Sequence, residues 1–411
     1  MPSHSKSETL RLLQGSQALF PALIQAFDAA GTWIQLETYI FEFHGTGADV
    51  ANALVRAALR GVRVQVLVDA IGSGLPPAQW QKTLAEAGVE WSAYSPMGSS
   101  FGLLVPERWR RLHRKLCVVD QNIVFCGGIN VLDDFYDPNY GELPAPRFDF
   151  AVAVTGPLAT EATDAMALLW WRVKAGYSAR EMHLNTAWEK FKAAGYGERT
   201  DGTLLAQPSD FNLAPLLGMP RPKAALVLRD NLLNRSSIER AYRKAIGKAR
   251  QEVIIANAYF LPGGKLRRAL VRASRRGVRV TLLLQGKYEY FMPYHAARPV
   301  YSALLAAGVE IHEYSTSFLH AKVAVVDGHW ATVGSSNLDP LSLLLAHEAN
   351  IVVEDRAFTQ DLSARLREAV ASHGQRIDPA AYSRRPLARR IQGWMAYALM
   401  RLALLLTGQR Y

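Results

Sequence analysis

Short runs of Val and Leu alternate along the chain with stretches in which apolar residues recur every three or four positions. The runs 62–68 and 278–284 are typical of strands that are buried on both faces of a sheet. The segments 50–60 and 266–276 have the helical period, and each is followed by a glycine, the residue favoured just past a helix C-terminus. This alternation predicts an α/β fold with a mostly parallel mixed sheet flanked by helices.

The same pattern occurs twice. Residues 53–64 (ALVRAALRGVRV) return at 269–280 as ALVRASRRGVRV, and AGVE occurs at both 87–90 and 307–310. The two blocks are offset by nearly the same distance, 277 − 61 = 216 and 308 − 88 = 220 positions. Such constancy predicts one fold unit that has been duplicated into two pseudo-symmetric halves.

These patterns divide the chain into four parts. A helical segment, 158–173, closes the first half, which we place at 1–173. The periodicity fades over 174–222, which is interpreted as a linker or an insertion. The second half follows at 223–380, and a tail of different composition occupies 381–411.

The tail combines basic and apolar residues. Four arginines precede an apolar stretch, 394–406, which is interrupted by Arg401 and is shorter than the ~20 residues of a membrane span. The pattern predicts either an amphipathic helix at a membrane surface or a helix docked on the protein's own core. On the first interpretation the arginines attract anionic lipid and the apolar residues insert; these residues are Arg384, Arg385, Arg389, Arg390, Trp394, Tyr397, Leu399, Leu402, Leu405 and Leu406.

Composition narrows the class of protein. The formal net charge is +11, which indicates an anionic partner such as nucleic acid, an acidic membrane surface or a phosphate-bearing substrate. Hydrophobic residues make up 49% of the chain and charged residues 20%, which excludes a disordered protein. The two cysteines, Cys117 and Cys126, form no C-x-x-C pair, which excludes a disulfide scaffold. The N-terminus has no secretory pattern, so we expect a reducing, cytoplasmic setting.

The pattern H-x-K-x₄-D occurs once in each half, as HRKLCVVD at 113–120 and as HAKVAVVD at 320–327. Seven residues beyond each Asp begins a related segment, GGIN at 127–130 or GSSN at 334–337. One copy alone is a weak signal. Two copies with the same downstream Gly and Asn, inside a duplicated chain, predict a functional site.

The spacing has a physical meaning. Residues i and i+2 of a strand face the same side, so the His and Lys of each motif point into one space. The Asp has the opposite parity and lies at a turn, where it is better placed to fix the backbone than to transfer protons. The candidate catalytic residues of the two motifs are His113, Lys115, Asp120, His320, Lys322 and Asp327, and the candidate substrate-binding residues are Gly128, Asn130, Ser335 and Asn337.

Two His, two Lys and two Asn in one site suit the transfer of a phosphorus-containing group. The ammonium and amide groups stabilise charge on the phosphorus oxygens, one imidazole attacks, and the other protonates the leaving oxygen. Because the sequence shows no clustered Asp and Glu set typical of a two-metal centre, we predict metal-independent chemistry with no cofactor.

These motifs resemble those of the phospholipase D superfamily, whose signature is H-x-K-x₄-D in two copies. ANAYFLPGG at 256–264, the segment 320–343 and HEAN at 347–350 are similar to the shorter, B-type bacterial cardiolipin synthases. The resemblance spans roughly 20–380. It implies two phospholipase D-like halves with one active site at their interface, a phosphatidyl-histidine intermediate, and transfer of a phosphatidyl group between two phosphatidylglycerol molecules with release of glycerol.

The resemblance also suggests roles for individual residues. By analogy His113 is the nucleophile and His320 the general acid and then the general base. Each His needs a carboxylate to set its tautomer, and the family has an acidic residue before a downstream strand. Asp149 and Glu348 occupy such positions, 36 and 28 residues after the His of their own half (149 − 113 and 348 − 320).

Several alternatives stay open at this stage. The partners implied are phosphatidylglycerol, other phospholipids and an anionic membrane, with a peripheral location on the cytoplasmic side of the cell membrane. Hydrolytic phospholipase D or phosphatidylserine synthase activity is also compatible with the resemblance, because the motif does not specify the acceptor. A nuclease also fits the charge, but the sequence shows no interleaving of aromatic and basic residues typical of single-strand binding, and a nuclease has no use for the apolar tail. A non-catalytic membrane-binding protein does not need both intact His and Lys pairs.

Overall fold

The structure is a computed structural model, and it describes residues 8–95, 110–180, 223–230, 234–287, 291–340 and 346–406. The predicted linker 174–222 lies mostly outside these residues, although its first seven positions continue the helix that closes the first half, which ends at Arg180. The strands and helices predicted from periodicity are confirmed. Residues 62–68 and 278–284 lie in strands and residues 50–60 and 266–276 lie in helices, except for one residue at an end of each predicted segment.

The first half is built around one sheet. Its strands in the described residues are β1 (Leu10–Gln14), β2 (Trp33–Thr38), β3 (Arg63–Asp69), β4 (Glu90–Tyr94), β5 (Arg111–Leu112), β6 (Leu116–Val119), β7 (Ile123–Gly127), β8 (Tyr136–Asp137), β9 (Gly141–Glu142) and β10 (Phe150–Thr155). Its helices are α1 (Ser16–Ala29), α2 (Gly45–Leu59), α3 (Ala78–Ala87) and α4 (Pro157–Arg180). The main sheet has the strand order β1-β10-β7-β6-β2-β3-β4.

The second half repeats this plan. Its described strands are β11 (Ala224–Arg229), β12 (Glu252–Asn257), β13 (Arg279–Gln285), β14 (Glu310–Tyr314), β15 (Lys322–Val326), β16 (Trp330–Gly334), β17 (Ala346–Val353) and β18 (Gly374–Arg376). Its helices are α5 (Ser237–Lys248), α6 (Gly264–Arg275), α7 (Phe291–Leu305), α8 (Arg356–His373), α9 (Pro379–Ser383) and α10 (Leu387–Leu406). The order β11-β17-β16-β15-β12-β13-β14-β18 matches that of the first sheet, with one further strand at the edge.

Both sheets are mixed, as predicted, but antiparallel pairs outnumber parallel ones. Only the pairs β2–β3, β3–β4, β12–β13 and β13–β14 are parallel within the two main sheets. The additional antiparallel pairs arise at the motif strands, because a tight turn connects β6 to β7 and another connects β15 to β16. Asp120 and Gln121 have φ of 50° and 52° in the first turn, and Asp327 and Gly328 have φ of 50° and 65° in the second. These turns add an antiparallel meander to each βαβ core.

The two sheets pack against each other. One hydrophobic core contains buried residues from both, among them Val118, Val152, Val323 and Val325. The short strand β5 of the first half also pairs in parallel with β17 of the second. The two halves therefore share a core, and the motif strands β6 and β15 both lie at it.

The C-terminal helix α10 packs on α7. Ala396 and Met400 are buried in the core of the second half. The opposite face is apolar but exposed, with exposed fractions of 50% or more at each of its large side chains: Leu387, Ile391, Trp394, Met395, Leu399 and Leu402. The docked interpretation of the tail is thus correct for one face, and the other face is left in contact with solvent. No described helix is both long and apolar enough to cross a bilayer.

Candidate active site

The two motif histidines are held at the interface by the opposite half. His113 follows β5 and donates its backbone N–H to the carbonyl oxygen of His347, at 3.0 Å. His320 precedes β15 and donates its backbone N–H to the carbonyl oxygen of Phe148, also at 3.0 Å. The site is therefore assembled from both halves, as one active site at their interface requires.

Each imidazole is paired with a carboxylate of the other half. Nδ1 of His113 lies 3.0 and 3.1 Å from the two carboxylate oxygens of Glu348, and Nδ1 of His320 lies 2.7 Å from Oδ2 of Asp149. The spacing along the sequence suggested pairs within each half, so that expectation is wrong, although both residues are near a motif His. The pairing crosses between the halves because the backbone N–H of each His donates to the residue just before the carboxylate of the other half, namely His347 before Glu348 and Phe148 before Asp149.

Two of the candidate substrate-binding residues, Gly128 and Ser335, contact these carboxylates. A Cβ at Gly128 would lie 2.3 Å from Oδ1 of Asp149, so only glycine leaves room for the carboxylate at this position. Ser335 occupies the equivalent position in the second half, and its hydroxyl donates a short hydrogen bond to Glu348. Ser335 also accepts the backbone N–H of Ala349 at 3.1 Å. The Gly or Ser of each downstream segment thus fits the carboxylate that orients the His of the other half.

The two lysines are buried beside the histidines. Lys115 is 6% exposed and Lys322 is fully buried. Each Nζ donates to the backbone carbonyl of the His two residues before it, so each amino group lies next to its motif His. Nζ of Lys322 also lies 3.9 Å from Oδ2 of Asp149. Two amino groups and two carboxyl groups therefore lie buried around the imidazoles.

Burial dominates the electrostatics of this cluster. Desolvation lowers the pKa of Lys115 to about 7 and raises the pKa of Asp149 to about 7. Burial also lowers the pKa of His113, against the attraction of Glu348, and lowers the pKa of His320 well below its usual value, with the nearby ammonium groups acting in the same direction. The imidazoles are thus neutral at pH 7, and an anion that enters the site raises their pKa.

The motif Asp residues act at the other end of their strands. The carboxylate of Asp120 accepts the backbone N–H groups of residues 31–33 at 2.8 to 2.9 Å and the hydroxyl of Thr32 at 2.7 Å. Asp327 accepts the N–H groups of residues 250–252, each at 2.8 Å. Both carboxylates join the turn after a motif strand to the start of β2 or β12. Both carboxylates fix the backbone, as their parity suggested.

The two Asn residues are buried close to the site. Oδ1 of Asn130 accepts the backbone N–H of Ile40 at 3.1 Å, which ties the GGIN segment to the loop after β2. Asn337 is 3% exposed, and its Oδ1 has no hydrogen-bond partner among the described residues. A role of these amides in binding substrate stays a prediction.

Two residues near the site were not identified from the sequence. The ring of Tyr39, just after β2, lies 5.2 Å from the ring of His113 and 5.4 Å from Nζ of Lys115. Arg229 ends β11 directly opposite Glu348 in the strand register and is 1% exposed. The repeated Tyr at 39 and 259 was a usable signal for the first. Nothing in the sequence distinguishes Arg229 from a surface arginine at a strand end.

Comparison with known families agrees with this geometry. Residues 23–140 and 242–370 match the family model described as cardiolipin synthase, PLD-like domain. The chain is 35% identical to cardiolipin synthase B of Escherichia coli (strain K12), over 97% of this chain and 89% of that protein. It is also 35% identical to cardiolipin synthase B of Salmonella typhimurium (strain LT2), over 95% and 87%. Cardiolipin synthase A of Escherichia coli O1:K1 is 27% identical, over 95% and 75%.

Solved structures share the fold at low sequence identity. Phosphatidylserine synthase of Haemophilus influenzae Rd KW20 superposes with a TM-score of 0.64 at 11% identity, covering 97% of this chain and 94% of that one. Polyphosphate kinase of Porphyromonas gingivalis gives a TM-score of 0.54 at 13% identity, covering 96% and 53%. At these identities the likeness concerns the fold alone.

Proposed function

This chain belongs to the family of cardiolipin synthases with a PLD-like domain, and we propose that it makes cardiolipin by moving a phosphatidyl group from one phosphatidylglycerol molecule to another. The observation that carries the proposal is the crossed pairing, because each imidazole has its Nδ1 on a carboxylate of the other half. That arrangement leaves both Nε2 atoms for chemistry and fixes their tautomers.

In the first step, Nε2 of His113 attacks the phosphorus of phosphatidylglycerol. The P–N bond forms as the bond from phosphorus to the glycerol oxygen breaks, and the protonated Nε2 of His320 gives its proton to that oxygen. Glycerol leaves, and the phosphatidyl group stays on His113. The protonated His320 arises when the substrate binds, because the negative phosphodiester between two imidazoles raises their pKa.

In the second step, the terminal hydroxyl of a second phosphatidylglycerol attacks the same phosphorus. His320, now neutral, takes the hydroxyl proton, and the P–N bond breaks to release cardiolipin and neutral His113. The ammonium groups of Lys115 and Lys322 stabilise the charge on the phosphorus oxygens in both transition states. Their burial makes this stabilisation larger than it is in water.

The exposed face of α10 is proposed to place the enzyme peripherally on the cytoplasmic surface of the cell membrane. Its apolar side chains follow one ridge of the helix, with exposed Arg390 and Arg401 beside it. The structure changes two details of the expected contact. Tyr397 packs partly into the core, so it is not part of the inserting face, and Arg385, expected to attract anionic lipid, stacks on the ring of Tyr382 with its Cζ 3.2 Å from the ring centroid.

Substitution on this ridge tests the membrane location. The double variant Trp394→Gln, Leu399→Gln removes two large apolar groups that are 58% and 54% exposed, so its unfolding midpoint stays near that of the parent. We expect its partition onto phosphatidylglycerol vesicles to fall at least ~10-fold, since each such side chain contributes about 1.5 kcal/mol or more on burial. Leu59→Gln is the matched control, a 70% exposed apolar residue on α2. If the parent, the double variant and Leu59→Gln bind the vesicles equally, the proposed membrane contact of α10 is contradicted.

A product assay tests the reaction itself. Vesicles of phosphatidylglycerol labelled in the head-group glycerol are incubated with the full chain, with and without EDTA, and the lipids are separated by thin-layer chromatography. We expect one labelled glycerol released for each cardiolipin formed, unchanged by EDTA. Phosphatidate as the lipid product instead indicates a hydrolase, and cleavage of added DNA without lipid turnover indicates a nuclease. Loss of activity in EDTA contradicts the metal-independent mechanism.

A further inference from the structure

Most of the net charge of the chain lies on two neighbouring helices. Helices α5 and α6 pack side by side on the outer face of the second sheet. Together they carry nine Lys and Arg residues and a single carboxylate, Glu239, which is a net +8 out of +11 for the whole chain. Such a concentration over two short helices is a strongly positive surface.

The first half shows that the fold does not need this charge. Helices α1 and α2 are the counterparts of α5 and α6, and they contain only three charged residues: Asp28, Asp49 and Arg56. The same layer of the same fold is therefore close to neutral in one copy and strongly basic in the other. The packing of this helix layer therefore does not explain the basic residues of α5 and α6, and we look for a ligand that they bind.

A conserved contact within the repeat fixes which residues correspond. The guanidinium of Arg60 donates to the carbonyl oxygens of Phe27 and Ala30, and that of Arg276 donates to those of Ile246 and Ala249. Residue 27 thus corresponds to 246 and residue 30 to 249. It follows that Gly247 stands at the position of Asp28.

That one difference removes a carboxylate from the basic surface. In the first half, Asp28 accepts two hydrogen bonds from Arg56, at 3.0 and 2.8 Å, and lies 4.0 Å from Arg60. In the second half the corresponding arginines, Arg272 and Arg276, face Gly247 instead. The result is an open groove of ≈ 540 Å³ with no carboxylate among its lining residues; the cations that line it are Arg243, Lys265, Arg268, Arg272 and Arg276.

We propose that this groove binds the phosphate of an anionic phospholipid head group in the place of the missing Asp28 carboxylate, and so docks the α5–α6 face on an anionic bilayer. Arginine is well suited to bind phosphate through two parallel hydrogen bonds. The choice of lipid over nucleic acid rests on the proposed function and on α10. Helices α5, α6, α7 and α10 contribute to one hydrophobic core on one face of the second sheet, so the basic groove and the exposed apolar ridge lie on the same side of that sheet.

The variant Gly247→Asp restores the carboxylate that the first half already holds. A Cβ at position 247 has no atom within 4 Å, so the side chain fits without displacing its neighbours. Gly247→Asn is the matched control, because it has the same size and no charge. We measure sedimentation with vesicles of phosphatidylglycerol and phosphatidylcholine, and with phosphatidylcholine alone, over a range of salt concentrations. Thermal unfolding shows that both variants are folded.

We expect Gly247→Asp to bind the phosphatidylglycerol vesicles roughly fivefold more weakly than the parent, with a shallower dependence on salt, since one charge near such a surface has about that effect. Gly247→Asn should bind like the parent. If Gly247→Asp also binds like the parent, the groove is not the docking site. As a second variant, Arg268→Gln, Arg272→Gln must weaken binding in the same direction, and equal binding by it overturns the proposal independently.

Two further probes separate the sources of phosphate. Inorganic phosphate that binds the groove by calorimetry, and displaces vesicles at micromolar concentration, overturns the lipid assignment in favour of a free anion. Single-stranded DNA or RNA that binds more tightly than the vesicles, with the same sensitivity to Gly247→Asp, overturns it in favour of nucleic acid. Vesicle binding does not depend on turnover. A parent protein that binds vesicles in this way but forms no cardiolipin therefore refutes the proposed function and leaves the groove in place.

Discussion

Removing the charge of Glu348 without changing its shape is the sharpest test of the crossed pairing. Glu348 is fully buried, and its two oxygens lie 3.0 and 3.1 Å from Nδ1 of His113. Glu348→Gln keeps the side-chain length and a hydrogen-bonding partner for Ser335. What it removes is the negative charge that stabilises a positive His113, both during attack and in the phosphatidyl-histidine.

The size of the effect follows from the geometry. At 3.0 Å and an effective dielectric constant of about 20, the attraction between two unit charges is about 5 kcal/mol. The substituted amide recovers part of this by a neutral hydrogen bond of about 1 kcal/mol. A net loss of about 3 to 4 kcal/mol corresponds to a fall in kcat of roughly 10²- to 10³-fold.

The pH profile gives a second, independent sign. Burial lowers the pKa of His113, and Glu348 opposes that effect, so removal of the carboxylate lowers this pKa further. If His113 must be neutral to attack, the acidic limb of the pH–rate profile moves to lower pH in Glu348→Gln. Single-turnover formation of cardiolipin measured across the acidic range shows both the rate and the limb.

Glu354→Gln serves as the control for Glu348→Gln. Glu354→Gln is the same change at an exposed position just after β17, and it should leave rate and profile unchanged. A rate for Glu348→Gln within about threefold of the parent refutes the reasoning, because a neutral amide would then be an adequate partner for His113. A lower rate with an unmoved acidic limb also refutes it, since a merely structural role lowers activity without shifting the titration.

The remaining predictions concern the carboxylate of the other pair and the turns. Gly128→Ala places a Cβ 2.3 Å from Asp149 and should displace that carboxylate from His320, so kcat should fall at least ~10-fold. Asp327→Asn should lower the free energy of unfolding by about 1 to 2 kcal/mol at pH 7, after allowance for solvent screening, and denaturant titration measures it. Burial opposes ionisation of Asp327, but the backbone N–H groups of residues 250–252 hold its pKa below the ordinary value, so its contribution is present above the ordinary Asp pKa and is lost as the pH falls through the lowered one. The stability difference between parent and Asp327→Asn should therefore vanish in acid; a constant difference across pH contradicts the assigned hydrogen bonds.

The motif geometry was largely predictable from the sequence because it depends on local periodicity. The i, i+2 spacing placed His113 with Lys115 and His320 with Lys322, and the opposite parity gave Asp120 a structural role, as observed. These inferences come from the alternation of side chains along a strand. In the structure His113 and Lys115 lie in the link between β5 and β6, and His320 lies just before β15.

The partners of the imidazoles were not predictable in the same way. Asp149 and Glu348 were identified as candidates, but their exchange between halves depends on contacts more than 170 positions apart. No local pattern encodes which strand ends meet across an interface. The role of Ser335 was missed for the same reason, since its hydroxyl serves Glu348 only once β16 and β17 are paired.

The balance of parallel and antiparallel strands was also misjudged. The βαβ units β2–α2–β3 and β12–α6–β13 are parallel, as their pattern indicates. The motif strands, however, turn back through two-residue turns that the hydrophobic pattern alone does not predict. For α10 the sequence left two interpretations open; the structure confirms docking for one face and leaves the apolar side chains of the other face exposed.

The central claim is that a phosphatidyl group is carried on His113 between the two lipids. The most direct measurement uses phosphatidylglycerol labelled in the phosphate, quenched within one turnover by denaturant at alkaline pH, where phosphohistidine survives, and analysed by peptide mass spectrometry. The account predicts a phosphatidyl group on the peptide that contains His113, which disappears into cardiolipin when unlabelled phosphatidylglycerol is added before the quench. Label on His320 reverses the assignment of nucleophile and acid. Cardiolipin formed at the normal rate with no labelled peptide at any time contradicts the two-step mechanism.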